Sequence, residues 1–173
     1  MNLHNLNNKL KKIFPIESKY NLFETYAEIW AEIINVCIVV FRSNINQTYW
    51  NFNKYFNILI NIEQNYSFFQ IAKILNYYNL TYLDLLKKNN LFKEDTNVFA
   101  YYIVKGILYY NIENFIIWCE RNNNNYLNFT KNAKTLDSFY SLIKKDSRNP
   151  KLISIIDNYQ SKINNLSKFL KNN

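Results

Sequence analysis

With one glycine, two prolines and one histidine in 173 residues, the chain excludes many chemistries by count alone. A single glycine cannot build a phosphate-cradling Walker loop or a dinucleotide fingerprint, both of which need several. The same shortage, with so few prolines, argues against the many tight turns of an all-β fold. His4 alone cannot complete a Ser/His/Asp triad, a Cys/His dyad or a two-histidine metal site. The two cysteines, Cys37 and Cys119, form no CxxC pair and sit in apolar runs, where they read as small core residues. No disulfide framework or signal-peptide pattern is present, so a reducing, intracellular setting is expected and secretion is not. Long hydrophobic runs are missing too. Ile33 to Phe41 and Val98 to Tyr110 are short or broken by Asn35 and Lys105, below the roughly 20 residues that a bilayer requires, so no membrane span is expected.

What is present points to one helical domain. Side chains are 49% hydrophobic and 18% aromatic, enough for one real core at this length. There are 32 asparagines and only three arginines, Arg42, Arg121 and Arg148, the profile of an AT-rich genome. The tract Asn122 to Asn125 therefore reads as a loop, not as a recognition element. The net charge of +8 is uneven: +3 over residues 1–20, −1 over 21–130 and +6 over 131–173. A basic tail can meet nucleic acid or an anionic membrane. Its cations are almost all lysine, without interleaved arginine and aromatics, so a solvated helix face is the better reading and nucleic acid is not expected as a partner.

Helix-period patterns follow one another with short asparagine-rich breaks. A short helix at Leu6 to Ile13 should stop before Pro15. The main one runs from about 21 to 41, with Leu22, Tyr26, Ile29, Trp30, Ile33, Ile34, Cys37 and Val40 at helical spacing and its last turns apolar nearly all round, the mark of a central buried helix. Segments 46–62 and 66–78 read as two further helices, followed by a short one at Tyr82 to Lys88. Glu94-Asp95-Thr96 gives an acid-rich start to a helix over Val98 to Tyr110. Gly106 inside it marks either a close helix crossing or a harmless glycine near a helix end. Helices at 112–121, 133–145 and 149–170 complete the set, with Pro150 in the first turn of the last and 149–173 forming a basic terminal helix. The expectation is an all-α compact bundle of about seven or eight helices in a single domain around the 21–41 helix.

One spacing is chemically suggestive. Glu24 and Glu28 stand four residues apart inside the main helix, on one face, with Glu32 a further turn on. Anions so placed repel unless a cation sits beside them, and nothing nearby in sequence supplies one. Two such acids facing a cleft could act as an acid/base pair, although one exposed stripe of an amphipathic helix is the commoner origin of the spacing. Tyr101-Tyr102 and Trp118 likewise fit a core at helical spacing.

The stretch Phe14-Pro-Ile-Glu-Ser-Lys-Tyr-Asn-Leu-Phe-Glu-Thr-Tyr-Ala-Glu-Ile-Trp-Ala-Glu-Ile-Ile-Asn35 resembles a segment of zinc metallopeptidase-like, gluzincin-type proteins of mimivirus-like nucleocytoplasmic large DNA viruses. So do Glu94-Asp-Thr-Asn-Val-Phe-Ala-Tyr-Tyr-Ile-Val-Lys105, Phe115-Ile-Ile-Trp-Cys119 and Leu127-Asn-Phe129, and the likeness covers roughly 14–143. The resemblance implies a site in which HExxH on one helix gives two imidazoles and a water-activating glutamate, while a glutamate on the next helix is the third zinc ligand. Glu24 matches that ligand, and Glu28 matches the carboxylate that orients a liganding histidine from behind. The chain has no HExxH, and His4-Asn-Leu-Asn-Asn does not replace it. The resemblance thus implies the carboxy-terminal helical part of a larger zincin-like protein or a paralogue that has lost catalysis. Zinc would bind only with histidines from an HExxH-bearing segment or protein, in host cytoplasm or virion. The alternatives read from the residues are a non-enzymatic helical interaction or structural protein and, more weakly, a basic nucleic-acid-associated protein.

Overall fold

A computed structural model describes residues 3–17, 20–43, 48–87, 92–94, 96 and 98–171, with side chains from residue 6 onward. The described residues form an all-α bundle. Its helices are α1 (Leu3–Leu10), α2 (Leu22–Arg42), α3 (Tyr49–Tyr77), α4 (Lys105–Tyr110), α5 (Ile112–Asn122), α6 (Ala133–Ser147) and α7 (Pro150–Lys171). A 3-10 turn, Tyr82–Leu86, follows α3, and a π-helical segment, Phe99–Val104, leads directly into α4. Among the described residues the only β-type pairings are two isolated bridges, Glu17 with Lys93 and Asn125 with Asn128.

Local chemistry explains several of the boundaries. Thr48 caps α3 by accepting from the Asn51 amide at 3.2 Å, and Asn132 caps α6 by accepting from the Thr135 amide at 2.8 Å. Thr81 and Asp84 form a reciprocal capping box that starts the 3-10 turn. Lys87 and the Thr81 hydroxyl hold the Asp84 carboxyl far below the usual carboxylate range. Pro150 opens α7, where its missing amide proton is not needed.

Four elements differ from the pattern read in the sequence. The first helix is Leu3–Leu10, and residues 11–13 form a turn ahead of Pro15. Segments 46–62 and 66–78 are one helix of 29 residues, about 43 Å long. Residues 63–65, Glu-Gln-Asn, are polar but contain no glycine or proline, so they carry the helix across the expected break; residues 46 and 47 lie outside the described residues. Lys88 lies outside them as well, and the short element before it is 3-10, not α. The helix expected over 98–110 begins as a π turn. There the Thr25 hydroxyl donates to the Ala100 carbonyl at 2.8 Å, giving that oxygen a partner on α2.

Two aromatic groups organise the core. Phe99 receives Phe14 and Tyr20 edge-on, with ring centres 5.1 and 5.5 Å apart, and Tyr20 donates to the Phe14 carbonyl at 2.7 Å. Burial pushes the Tyr20 phenol up to about 12. The second group gathers Tyr26, Phe129, Phe139 and Trp118 between α2, α5 and α6. α3 packs against α2, α4 and α7, so it serves as the spine of the bundle. The all-round burial expected of the last turns of α2 belongs instead to Ile103 through Tyr109, every one of which is buried. α2 turns Ile29, Ile33, Val36 and Val40 to the core but leaves Ile34, Ile38, Val39 and Phe41 exposed.

Gly106 marks a close crossing of α4 over α3. A β-carbon placed there would run into Ile71 Cδ1, stand 3.2 Å from Ile71 Cγ1 and lie 3.8 Å from the Ser67 carbonyl oxygen.

Candidate functional site

The acid stripe of α2 lies beside the π segment and α4. Glu24, Glu28 and Glu32 recur every fourth residue, and so do Tyr101, Lys105 and Tyr109 opposite them. The closest tie is a Lys105 Nζ to Glu32 Oε1 ion pair at 2.6 Å, linking residues 73 positions apart. Lys105 is only 6% exposed, and its ammonium also stands 6.0 Å from the centre of the Tyr102 ring. A buried ammonium is tolerated only beside an opposite charge, so the pair explains both the lysine in an apolar helix and the acid opposite it. This is the cation absent from the neighbourhood of the acids in sequence; the fold brings it from the far side of α3.

Glu63 reaches the same centre from α3. Burial raises its carboxyl above the ordinary range, the Glu32 charge raises it further, and Lys105 pulls in the other direction. Tyr109 is fully buried, and among the described residues neither its hydroxyl nor Glu32 Oε2 meets a hydrogen-bond partner in good geometry. Burial first, and then the charge of Glu32, drive the Tyr109 phenol far above its usual value, with Glu63 and Glu28 adding to the effect. The centre therefore sets two carboxylates, Glu32 and Glu63, against one ammonium, with the Tyr109 phenol beside them.

Glu24, expected from the family resemblance to be a zinc ligand, is exposed near the start of α2. Its hydrogen bond and charge raise the Tyr101 phenol, and the Glu28 charge adds to this. Glu28 is half-buried between the exposed and the buried ends of the stripe. Among the described residues, no group of three or more histidine, cysteine, aspartate or glutamate side chains is placed to hold a metal ion. Glu24 and Glu28 bring carboxylates with a phenol beside them and no described imidazole, so this donor set does not by itself fit a catalytic zinc. The His4 side chain lies outside the described residues.

Other candidate nucleophiles are shifted toward their protonated forms. Burial pushes the Cys119 thiol up to about 11 and raises that of Cys37. Tyr26 is raised by burial, and its hydroxyl donates to the Tyr126 carbonyl while accepting from Asn123 Nδ2 at 2.9 Å. The asparagine tract thus has a structural role: Asn122 closes α5 by donating to the Trp118 carbonyl at 2.9 Å, and Asn123 Oδ1 accepts from the Thr130 amide at 2.9 Å. A surface hollow of about 400 Å³ opens between α3 and α5, walled by Phe56, Ile60, Ile112 and Ile116 and rimmed by asparagines. The acid stripe does not line it.

Glu24, Glu28 and Glu32 are legible in the sequence by their spacing, where Lys105 stands only as an interruption of an apolar run. A lone lysine among Ile103, Val104, Ile107 and Leu108 is itself a signal, since a cation at such a position calls for a buried anion. Nothing in the sequence ties Glu63 or Tyr109 to it. Comparison of the chain with protein-family models, with curated proteins and with solved structures finds no match.

Proposed function

We propose that this chain is a non-enzymatic helical interaction protein, in which the acids of α2 are internal ties between helices and the outer helix faces meet a partner. The observation that carries the reading is the Glu32–Lys105 pair, its lysine buried and its glutamate partly so, with Tyr109 and Glu63 around it. It engages the inner end of the stripe in packing, while the cysteines and the shifted tyrosines are held protonated, which suits structure better than nucleophilic chemistry. The rival reading, a zinc metallopeptidase-like protein with Glu24 as ligand and Glu28 behind it, requires imidazoles from an HExxH-bearing segment or protein.

Two measurements decide between them. Zinc titrated calorimetrically into the chain should give no saturable site that Glu24→Gln removes; stoichiometric zinc binding lost in that variant would sink the interaction reading. In urea unfolding, Lys105→Met should cost about 3 kcal/mol, because it strands Glu32 without its partner. Glu24→Gln should stay within about 0.5 kcal/mol of the parent, as exposed substitutions usually do.

A further inference from the structure

We infer that the outer face of the α2–α3 hairpin docks on an anionic lipid surface, a proposal that rests on the interaction-protein reading above and names its partner. The face is apolar where soluble helices are polar. Phe41 is 62% exposed and Trp50 76% exposed, close to either side of the connection between the two helices, and Ile38, Ile58 and Ile62 are each about half exposed. On α3 these residues continue a stripe, Trp50, Lys54, Ile58 and Ile62, at four-residue spacing. From Tyr49 to Leu59 the helix has no buried residue, so this end of the spine is covered by little of the protein's own core.

Charge selects the occupant. From Ile34 onward the only charged residue of α2 is Arg42, and the exposed charge on the first half of α3 is Lys54, Lys73 lying near its other end beside Tyr77 and Tyr102. The single acid of α3, Glu63, is half-buried and feels the charges of Lys105 and Glu32. These two helix faces therefore present apolar groups and cations with no exposed acid of their own, Glu113 of α5 standing in the hollow beside Phe56 and Asn57, on a chain of net charge +8. A second copy would bring like charges together. Exposed tryptophan, tyrosine and phenylalanine beside lysine and arginine match the headgroup boundary of an anionic bilayer, where rings enter and cations stay at the phosphates. Among the described residues no helix is long and apolar enough to cross a membrane, so the contact is shallow.

The experiment uses the full chain with phosphatidylcholine vesicles, with and without phosphatidylserine. Co-sedimentation is expected only with phosphatidylserine present, and it should weaken with salt. Of the three tryptophans Trp50 is the exposed one, Trp30 being half-buried and Trp118 buried, so binding should blue-shift tryptophan emission. Trp50→Phe should keep the binding and lose the shift. Lys54→Ser should weaken vesicle binding about fivefold, as expected for one cation at an anionic surface. Phe41→Ser should weaken it about tenfold through lost apolar burial. The proposal is overturned if the folded chain fails to sediment with either vesicle, or sediments equally with both. It is also overturned if binding leaves Trp50 unshifted and disappears in Lys168→Ser/Lys171→Ser, which would place the contact on the end of α7. A lipid-independent dimer that buries Trp50, or an acidic amphipathic peptide that shifts Trp50 when vesicles do not, would assign the face to protein instead. Zinc binding at Glu24 would overturn the interaction reading whatever the vesicles show, whereas failed sedimentation overturns only the docking.

Discussion

Glu63 shows how a side chain can belong to a charged cluster and still be uncomfortable in it. Its folded-state carboxyl is raised, by burial first and by Glu32 second. A group raised on folding binds protons more readily in the native state, so stability falls as pH rises through the window above the ordinary carboxylate value and recovers on mild acidification. Glu63→Gln removes that slope. Thermal melts should show the variant more stable than the parent at pH 7, by about 1–2 °C, with the gap closing toward the ordinary glutamate value near pH 4; a variant less stable at pH 7 would mean that the charge of Glu63 supports Lys105 more than it strains the cluster. At this scale the sequence is half legible. The four-residue spacing of the acids is visible, and so is the misplaced lysine, but which acid takes the lysine depends on helix register 73 positions away.

Between elements, the crossing of α4 over α3 is held open by the absence of a side chain at Gly106. Gly106→Ala should destabilise by about 1 kcal/mol in denaturant unfolding, because the added methyl pushes on Ile71 Cδ1 in a closed core and so more than cancels the roughly 1 kcal/mol that alanine gains over glycine in a helix. Ile71→Val removes that atom, so the double variant should lose less than the sum of the two single losses. Strict additivity would show that the helix, and not Ile71, yields to the methyl. Periodicity and caps place α2, α5, α6 and α7 within one or two residues, because glycine-free apolar stripes bounded by Asn132 or Pro150 leave few alternatives. The join within α3 is hidden because Glu63, Gln64 and Asn65 look like a loop although each is compatible with helix. The π turn is hidden because its side-chain period lies near enough to that of an α-helix for apolar spacing to miss it.

Across the molecule, burial is distributed unequally along the spine. The buried residues of α3 begin at Ile60 and continue to Leu75, while the preceding eleven residues have none. Native-state hydrogen exchange should divide the helix accordingly, with amides from Ile60 onward opening near the global unfolding energy and those of Tyr49 to Leu59 opening well below it; uniform protection along all 29 residues would mean that the outer end is held by something other than the core. Composition foretold the helical class at this scale, since one glycine and two prolines leave little else possible. It could not separate apolar residues that face the core from those that face outward. In α2, Ile33 and Ile34 are chemically the same, and only the assembled bundle shows that one is buried and the other exposed.

The π segment also acts as an indexing device. A π turn holds one more residue than an α turn, and each helical residue advances the chain by about 100°. Deleting one residue from Phe99–Val104 would make that helix more regular, but with Ala100 still pinned to Thr25 it would swing Lys105 and Tyr109 about a quarter turn away from α2. The local irregularity is thus what puts the ammonium in phase with its carboxylate.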